Sequence, residues 1–455
     1  MGLVIGGSVL AVTPAAGARA VIVTPNCPWE TKLDSNTTNV AFPDQYANYF
    51  TMIWPLAGTA SLTIKGRYPH ARYTSFTTYT SQTQAVDGVN DLHLMPNDRN
   101  PAHNPFLPGN RRNTEGPVRD YQLEVINGQR PSGEVFNKVY TTDADGTHSN
   151  RAFYIVIYRT YRPDIGLDAG GGEPLPTVTV NPAAGPSFDL PSSGCNTLPD
   201  PNLGFNGILT NTTLPTVLPG QAGCYPGLNP PIWHKFTNAA TAEIQGTDNT
   251  CLMGIDPQQS ITPETDKAIP AGGFLENLDN KYVSTILNVD AFGPVVVIES
   301  RVPTTPNTYQ EPGTRHGATF MPASSRQLRY WSMCSNEGLT TRYYACVMDE
   351  GLARLNARGD YCLVVTRAGA DRPRNANAAH KVNWLPFGVF HDNVLIERNM
   401  LPDPSFTQAI QFVQPGNERP GLGAYYPTAS YMSTAQFERQ GCPGFSRLTA
   451  LGSQP

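Results

Sequence analysis

Apolar and polar residues alternate along short runs of this chain, and clusters of Pro, Gly, Asn and Asp separate the runs. From Ala47 to Pro55, Tyr49, Thr51, Ile53 and Pro55 lie on one side, with Phe50, Met52 and Trp54 on the other. A period of two with bulky residues on both sides predicts a strand with both faces partly covered. Ser61–Lys65 and Arg72–Tyr79 follow as two more strands, broken at Tyr68-Pro69. Proline donates no ladder bond, so it marks an edge, bulge or corner there. Tyr121–Ile126, Val135–Thr141, Arg151–Tyr161 and Leu175–Val180 carry the same alternation, with a hairpin signal at Asp145-Gly146. A second set begins near Tyr282 and includes Val295–Ser300, Leu328–Cys334, Thr341–Met348, Tyr361–Thr366 and Asn393–Arg398. A helix is predicted after Asp403-Pro404, where Phe406, Ala409, Ile410 and Val413 share one face. Many short strands with little helical period predict a mainly β protein, an antiparallel sandwich or jelly-roll rather than a parallel sheet.

The two sets repeat each other. Leu62–Pro69 (LTIKGRYP) is echoed by Val296–Pro303 (VVIESRVP), and Arg72–Phe76 (RYTSF) by Arg329–Met333 (RYWSM). Asp120–Val125 (DYQLEV) returns as Asp360–Val365 (DYCLVV), Arg130-Pro131 as Arg372-Pro373, and Val156–Asp164 (VIYRTYRPD) as Leu395–Asp403 (LIERNMLPD). The order is the same in both halves, so one module has been duplicated and its loops lengthened. Two tandem related β-sandwich modules are expected at 21–180 and 261–455, with a Pro/Gly-rich, cysteine-containing connection at 181–260.

Composition narrows the class. Only 15% of residues are charged, 39% are hydrophobic, and Pro and Gly number 42 and 41. That apolar fraction is too high for disorder and suits short strands joined by long loops. A net charge of −5 leaves no basic footprint, which argues against nucleic acid and anionic membrane surfaces. Leu3–Val12 (LVIGGSVLAV) followed by Ala18-Arg19-Ala20 reads as an export signal over 1–20, although Met1-Gly2 brings no Lys or Arg. No later apolar run is long enough to span a bilayer. The eight cysteines contain no C-x-x-C pair, so disulfides are expected, among them Cys334–Cys346 across a hairpin near Gly338.

Common catalytic signatures are missing. There is no G-x-S-x-G, H-E-x-x-H or G-x-x-x-x-G-K, and no H-x-H that a double cupin would need. Asp143–Thr147 starts like a calcium loop, but His148 replaces the required Gly and Tyr154 the final Glu, so a hairpin turn explains it. No metal and no cofactor is expected. The candidate catalytic residues are His70, Arg72, Tyr73, His93 and His103, around the strand at 72–79 and the long loop behind it. Arg, Tyr and His together suit a polysaccharide lyase, with Arg neutralising a uronate and Tyr or His moving protons. The competing reading is structural, because Arg72-Tyr73-x-Ser75 recurs as Arg329-Tyr330-x-Ser332 whereas His70 does not. Arg99, His380 and Trp384 are candidate ligand-binding residues, Trp384 as a sugar-stacking platform or a core residue.

FPDQYANYF, GRYPHARYTSF, LRYWSMCSNEG and DRPRNANAAHKVNWLPFG resemble segments of bacterial secreted proteins known only as domains of unknown function. The resemblance implies an exported bacterial protein with paired sandwiches and no assigned site. The expected function is binding or structural work outside the cytoplasm, with a polysaccharide or cell-surface ligand. A carbohydrate-active enzyme and a subunit of an extracellular assembly, hence an oligomer, remain as alternatives.

Overall fold

The alternating runs form strands. The computed structural model describes residues 27–29, 31–33, 39, 41–80, 84–150, 152–196, 228–235, 275–309, 317–322, 326–337, 342–389 and 393–444. The export signal, most of the 181–260 connection with Cys224 and Cys251, and His316 and His391 lie outside the described residues.

In the first half the strands are β1 (Thr31–Leu33), β2 (Ala47–Pro55), β3 (Thr59–Arg67), β4 (Ala71–Tyr79), β5 (Ala85–Asn90), β6 (Asp120–Gln129), β7 (Lys138–Thr142), β8 (Phe153–Pro163), β9 (Thr177–Pro182) and β10 (Phe188–Asp189). In the second they are β11 (His234–Lys235), β12 (Asn280–Leu287), β13 (Val295–Arg301), β14 (Leu328–Asn336), β15 (Tyr343–Met348), β16 (Asp360–Thr366), β17 (Val382–Pro386), β18 (Asn393–Pro402) and β19 (Thr428–Met432). The sheets run β1-β2-β8-β4-β5 and β10-β9-β3-β6-β7, then β11-β12-β18-β14-β15 and β17-β16-β13-β19. The second pair of sheets repeats the first strand for strand over β2–β9 and β12–β19. Even the exception repeats: β6–β7 and β16–β17 are parallel, while the other described pairings are antiparallel.

Each half encloses its own core. Phe50, Leu62, Ile64, Phe76, Leu123 and Val156 fill the first, and Val283, Val296, Trp331, Leu363 and Leu395 the second. Between them lies a third apolar layer of Ala47, Tyr73, Tyr161, Tyr330, Met348 and Met400. The sheets carrying β4 and β14 therefore meet back to back, and every residue of both strands is buried. Both strands bury their polar residues as well as their apolar ones, because each face is covered.

Two expectations change. Phe406–Val413 is a series of turns with a short 3-10 segment at Ile410–Phe412, not an α-helix. Its apolar positions are still buried, but Asn399 on β18 accepts from the Ile410 N–H and from the Gln411 side chain, holding the segment in place of a helical ladder. The described α-helices of the C-terminal region are α1 (Glu418–Leu422) and α2 (Thr434–Gln440). The Asp143–His148 turn closes as predicted, Asp143 accepting from the His148 N–H and ring, yet β7 and β8 belong to different sheets. Trp384, in β17, packs partly buried against a smaller apolar cluster of the second half, in line with the core alternative.

Candidate functional site

The recurring Arg-Tyr pair holds the two halves together. Arg72 on β4 reaches across to Asp349, after β15, with Nη1 3.1 Å from Oδ1, and also pairs with Glu350. Arg329 on β14 reaches back to Asp91, after β5, at 3.2 Å. Tyr73 donates to Asn277 at 3.1 Å and Asp279 at 2.5 Å, ahead of β12. Tyr330 donates to Asp44, ahead of β2, at 2.8 Å. Arg159 on β8 donates to the Leu275 carbonyl and Arg398 on β18 to the Phe42 carbonyl, at 2.7 and 2.6 Å. The Arg–Asp, Tyr–carboxylate and Arg–carbonyl bonds in one direction each have a counterpart in the other, so the interface has an approximate two-fold axis. Burial pushes the Tyr73 and Tyr330 hydroxyls well above their ordinary range, with a nearby carboxylate adding to it in each case.

The five candidate catalytic residues are therefore not one cluster. Arg72 and Tyr73 are fully buried, and a group with no exposed surface cannot touch a substrate. His70 is buried beside Glu115 and Glu173, at 3.8 Å from each. These three bring ligand-type atoms within 4.8 Å of one another. Arg67 and Arg119 stand 3.7 and 3.8 Å from Glu173, so two guanidinium groups already meet its charge. The other groupings with metal-ligand chemistry among the described residues contain cysteines that are oxidised to Cys334–Cys346 and Cys362–Cys442. His103 is tied to Asp98 at 2.5 Å on the surface, and exposed Arg99 takes a left-handed turn conformation beside them. His380 bonds Asn377 in an exposed turn. The Trp384 ring is capped by the Arg372 guanidinium 4.1 Å from its centroid, while its N–H donates to Thr366. That face is closed to a sugar.

His93 has a different setting. It lines a pocket of about 220 Å³ formed by Ser75, Phe76 and Thr77 of β4, Gly88, Val89 and Asn90 of β5, the loop residues Arg130, Glu134 and Val135, and Leu278 and Asp279 from the second half. Asp279 accepts from Asn90 Nδ2 at 2.8 Å and from Tyr73, and Asn90 Oδ1 faces His93 Nδ1 at 2.9 Å. His93 Nε2 lies 3.8 Å from Glu134 at the mouth. Tyr73 and His93 are thus joined through two residues that the sequence reading had not singled out. Arg130 Nε pairs with Asp87 at 3.0 Å, and burial raises the Asp87 carboxyl to about 6 against the pull of that arginine. Phe136, 45% exposed, packs its ring 6.2 Å from that of His93, next to the lining residue Val135 but outside the lining itself. Gly88 keeps the floor open, since a Cβ there would meet Leu278 Cδ1 at 3.2 Å and the Phe76 carbonyl at 3.3 Å. Asn90 ends β5 and Asp91 follows it, matching Asp349 after β15; that correspondence is visible only once the strands are paired.

No protein-family model matches the chain, and no curated protein matches its sequence. Among solved structures it is similar to an uncharacterised protein from Burkholderia cenocepacia, with 12% identity and a TM-score of 0.44 over 90% of this chain and 83% of the other. It is also similar to a Vibrio parahaemolyticus protein, with 10% identity and a TM-score of 0.36 over 86% of this chain and 90% of the other.

Proposed function

We propose that this chain is an exported binding protein that takes a polar, hydroxyl-rich ligand of the carbohydrate class in the pocket around His93. The observation that carries this reading is a largely polar pocket with the exposed ring of Phe136 beside its lining residue His93. Sugars offer hydroxyls to hydrogen-bonding side chains and an apolar ring face to an aromatic one, and small-ligand sites combine the same two elements. The rigid double sandwich supports the pocket from both halves, as a preorganised site requires. Disulfides among the described residues and the export-signal pattern of 1–20 agree with work outside the cytoplasm. No described helix is long and apolar enough to cross a membrane.

The test is calorimetric titration with a panel of mono- and oligosaccharides, beside His93→Ala and Phe136→Ala. Both side chains are substantially exposed, so the variants should melt within about 2 °C of the parent. At least one saccharide should bind, and each variant should weaken it about tenfold. Undiminished binding by both variants would place the ligand elsewhere.

A further inference from the structure

The pocket around His93 carries an imbalance of charge that narrows its ligand. Arg130 faces Asp87 at 3.0 Å, and the same carboxylate accepts from the Gly88 and Tyr140 N–H groups, so this cation and anion offset each other. Asp279 has no such match among its hydrogen bonds, since Tyr73 and Asn90 are both uncharged donors. Glu134 stands 62% exposed at the mouth. Asn90 must turn its amide nitrogen toward the Asp279 carboxylate, which leaves its oxygen toward His93 and the Leu92 N–H. His93 Nδ1 therefore carries the proton of that bond, and in the neutral ring Nε2 is an acceptor turned toward Glu134. With His93 neutral the lining holds two uncompensated negative charges, and with His93 protonated it still holds one. A uronate would bring its carboxylate against Glu134 and Asp279. A ligand bearing an ammonium group would meet acceptors and opposite charge, with the Phe136 ring available to the cation or to the sugar face.

We propose that the ligand carries a positively charged nitrogen, an amino sugar with a free amine being the class that fits. This rests on the reading of the pocket as a saccharide site.

The experiment is isothermal titration of the full chain with three probes: glucosamine oligomers, their N-acetylated counterparts, and glucuronate oligomers of equal length. The free-amine probe should bind at least tenfold more tightly than the N-acetylated one, and the glucuronate probe more weakly than either. In Glu134→Gln that preference should fall below about threefold with the parent melting temperature retained, because Glu134 is mostly in solvent. Asp189→Asn, on β10 at the sheet edge far from β7, is the control for nonspecific attraction to an acidic protein and should keep the full preference. Equal binding of free-amine and N-acetylated probes overturns the amine inference while leaving the saccharide reading intact. The same loss in Asp189→Asn as in Glu134→Gln also overturns it. Binding of no saccharide removes both together.

Discussion

Where the halves meet, Arg72 lies 3.1 Å from Asp349 and Arg329 3.2 Å from Asp91, and all four side chains are buried. Removing one member of such a pair strands the other charge in a medium that solvates it poorly, at a cost of about 3–5 kcal/mol. Arg72→Ala should lose that much in urea denaturation at pH 7. Arg329→Ala should depend on pH. Burial raises the Asp91 carboxyl to about 7 in spite of Arg329, so the folded protein binds more protons than the unfolded one from the ordinary carboxylate range up to about 7. Stability contributed by this group is present at low pH and falls as pH rises through 7. Without Arg329 the protonated form is tolerated and the charged form is not, so the variant should lose more melting temperature at pH 8 than at pH 5.5. Glu397 works in the same direction from the second core, where burial raises it to about 8 although the Trp331 N–H donates to it at 3.0 Å. Glu397→Gln keeps an oxygen for Trp331 and should flatten the decline in stability between about pH 5 and 8. An unchanged slope would mean that another group titrates there.

Among the elements, β14 and β15 set Cys334 and Cys346 directly opposite each other, and the predicted disulfide forms between them. A link that closes so short a loop stabilises by about 3 kcal/mol, mainly by restricting the unfolded chain. Peptide mapping without reduction should recover the linked pair, and Cys334→Ser with Cys346→Ser should lower the denaturation midpoint accordingly. The corresponding strands β4 and β5 lack cysteine and instead open onto the pocket. On this pair of strands the copies diverge, stapled in one half and open in the other. The Phe406–Val413 segment shows the limit of periodicity, since its apolar spacing marked buried positions correctly while side-chain bonds from β18 selected its backbone shape.

At the scale of the whole molecule, reciprocal bonds through Arg72, Tyr73, Arg159, Arg329, Tyr330 and Arg398 make the two halves mechanically one body. A cut within 181–260 should leave two protected fragments that still migrate together in gel filtration and part only in denaturant. Separate migration in native buffer would mean that the interface is weaker than its buried pairs imply. Alternation by itself determined the β class and most strand positions, because a period of two follows from backbone geometry at short range, while matched segments in the same order gave the internal repeat. The repeated Arg-Tyr pair was legible as shared architecture. What it binds was not, because Asp349, Asp91, Asp44 and Asn277 lie far away in sequence and come near only when the two sheets pack back to back. The pocket was hidden for the same reason: β4 and β5 supply its floor, Arg130 and Glu134 come from a distant loop, and Asp279 from the other half. Tertiary structure decided which histidine faces a cavity, since burial and charge balance depend on neighbours that no local pattern names.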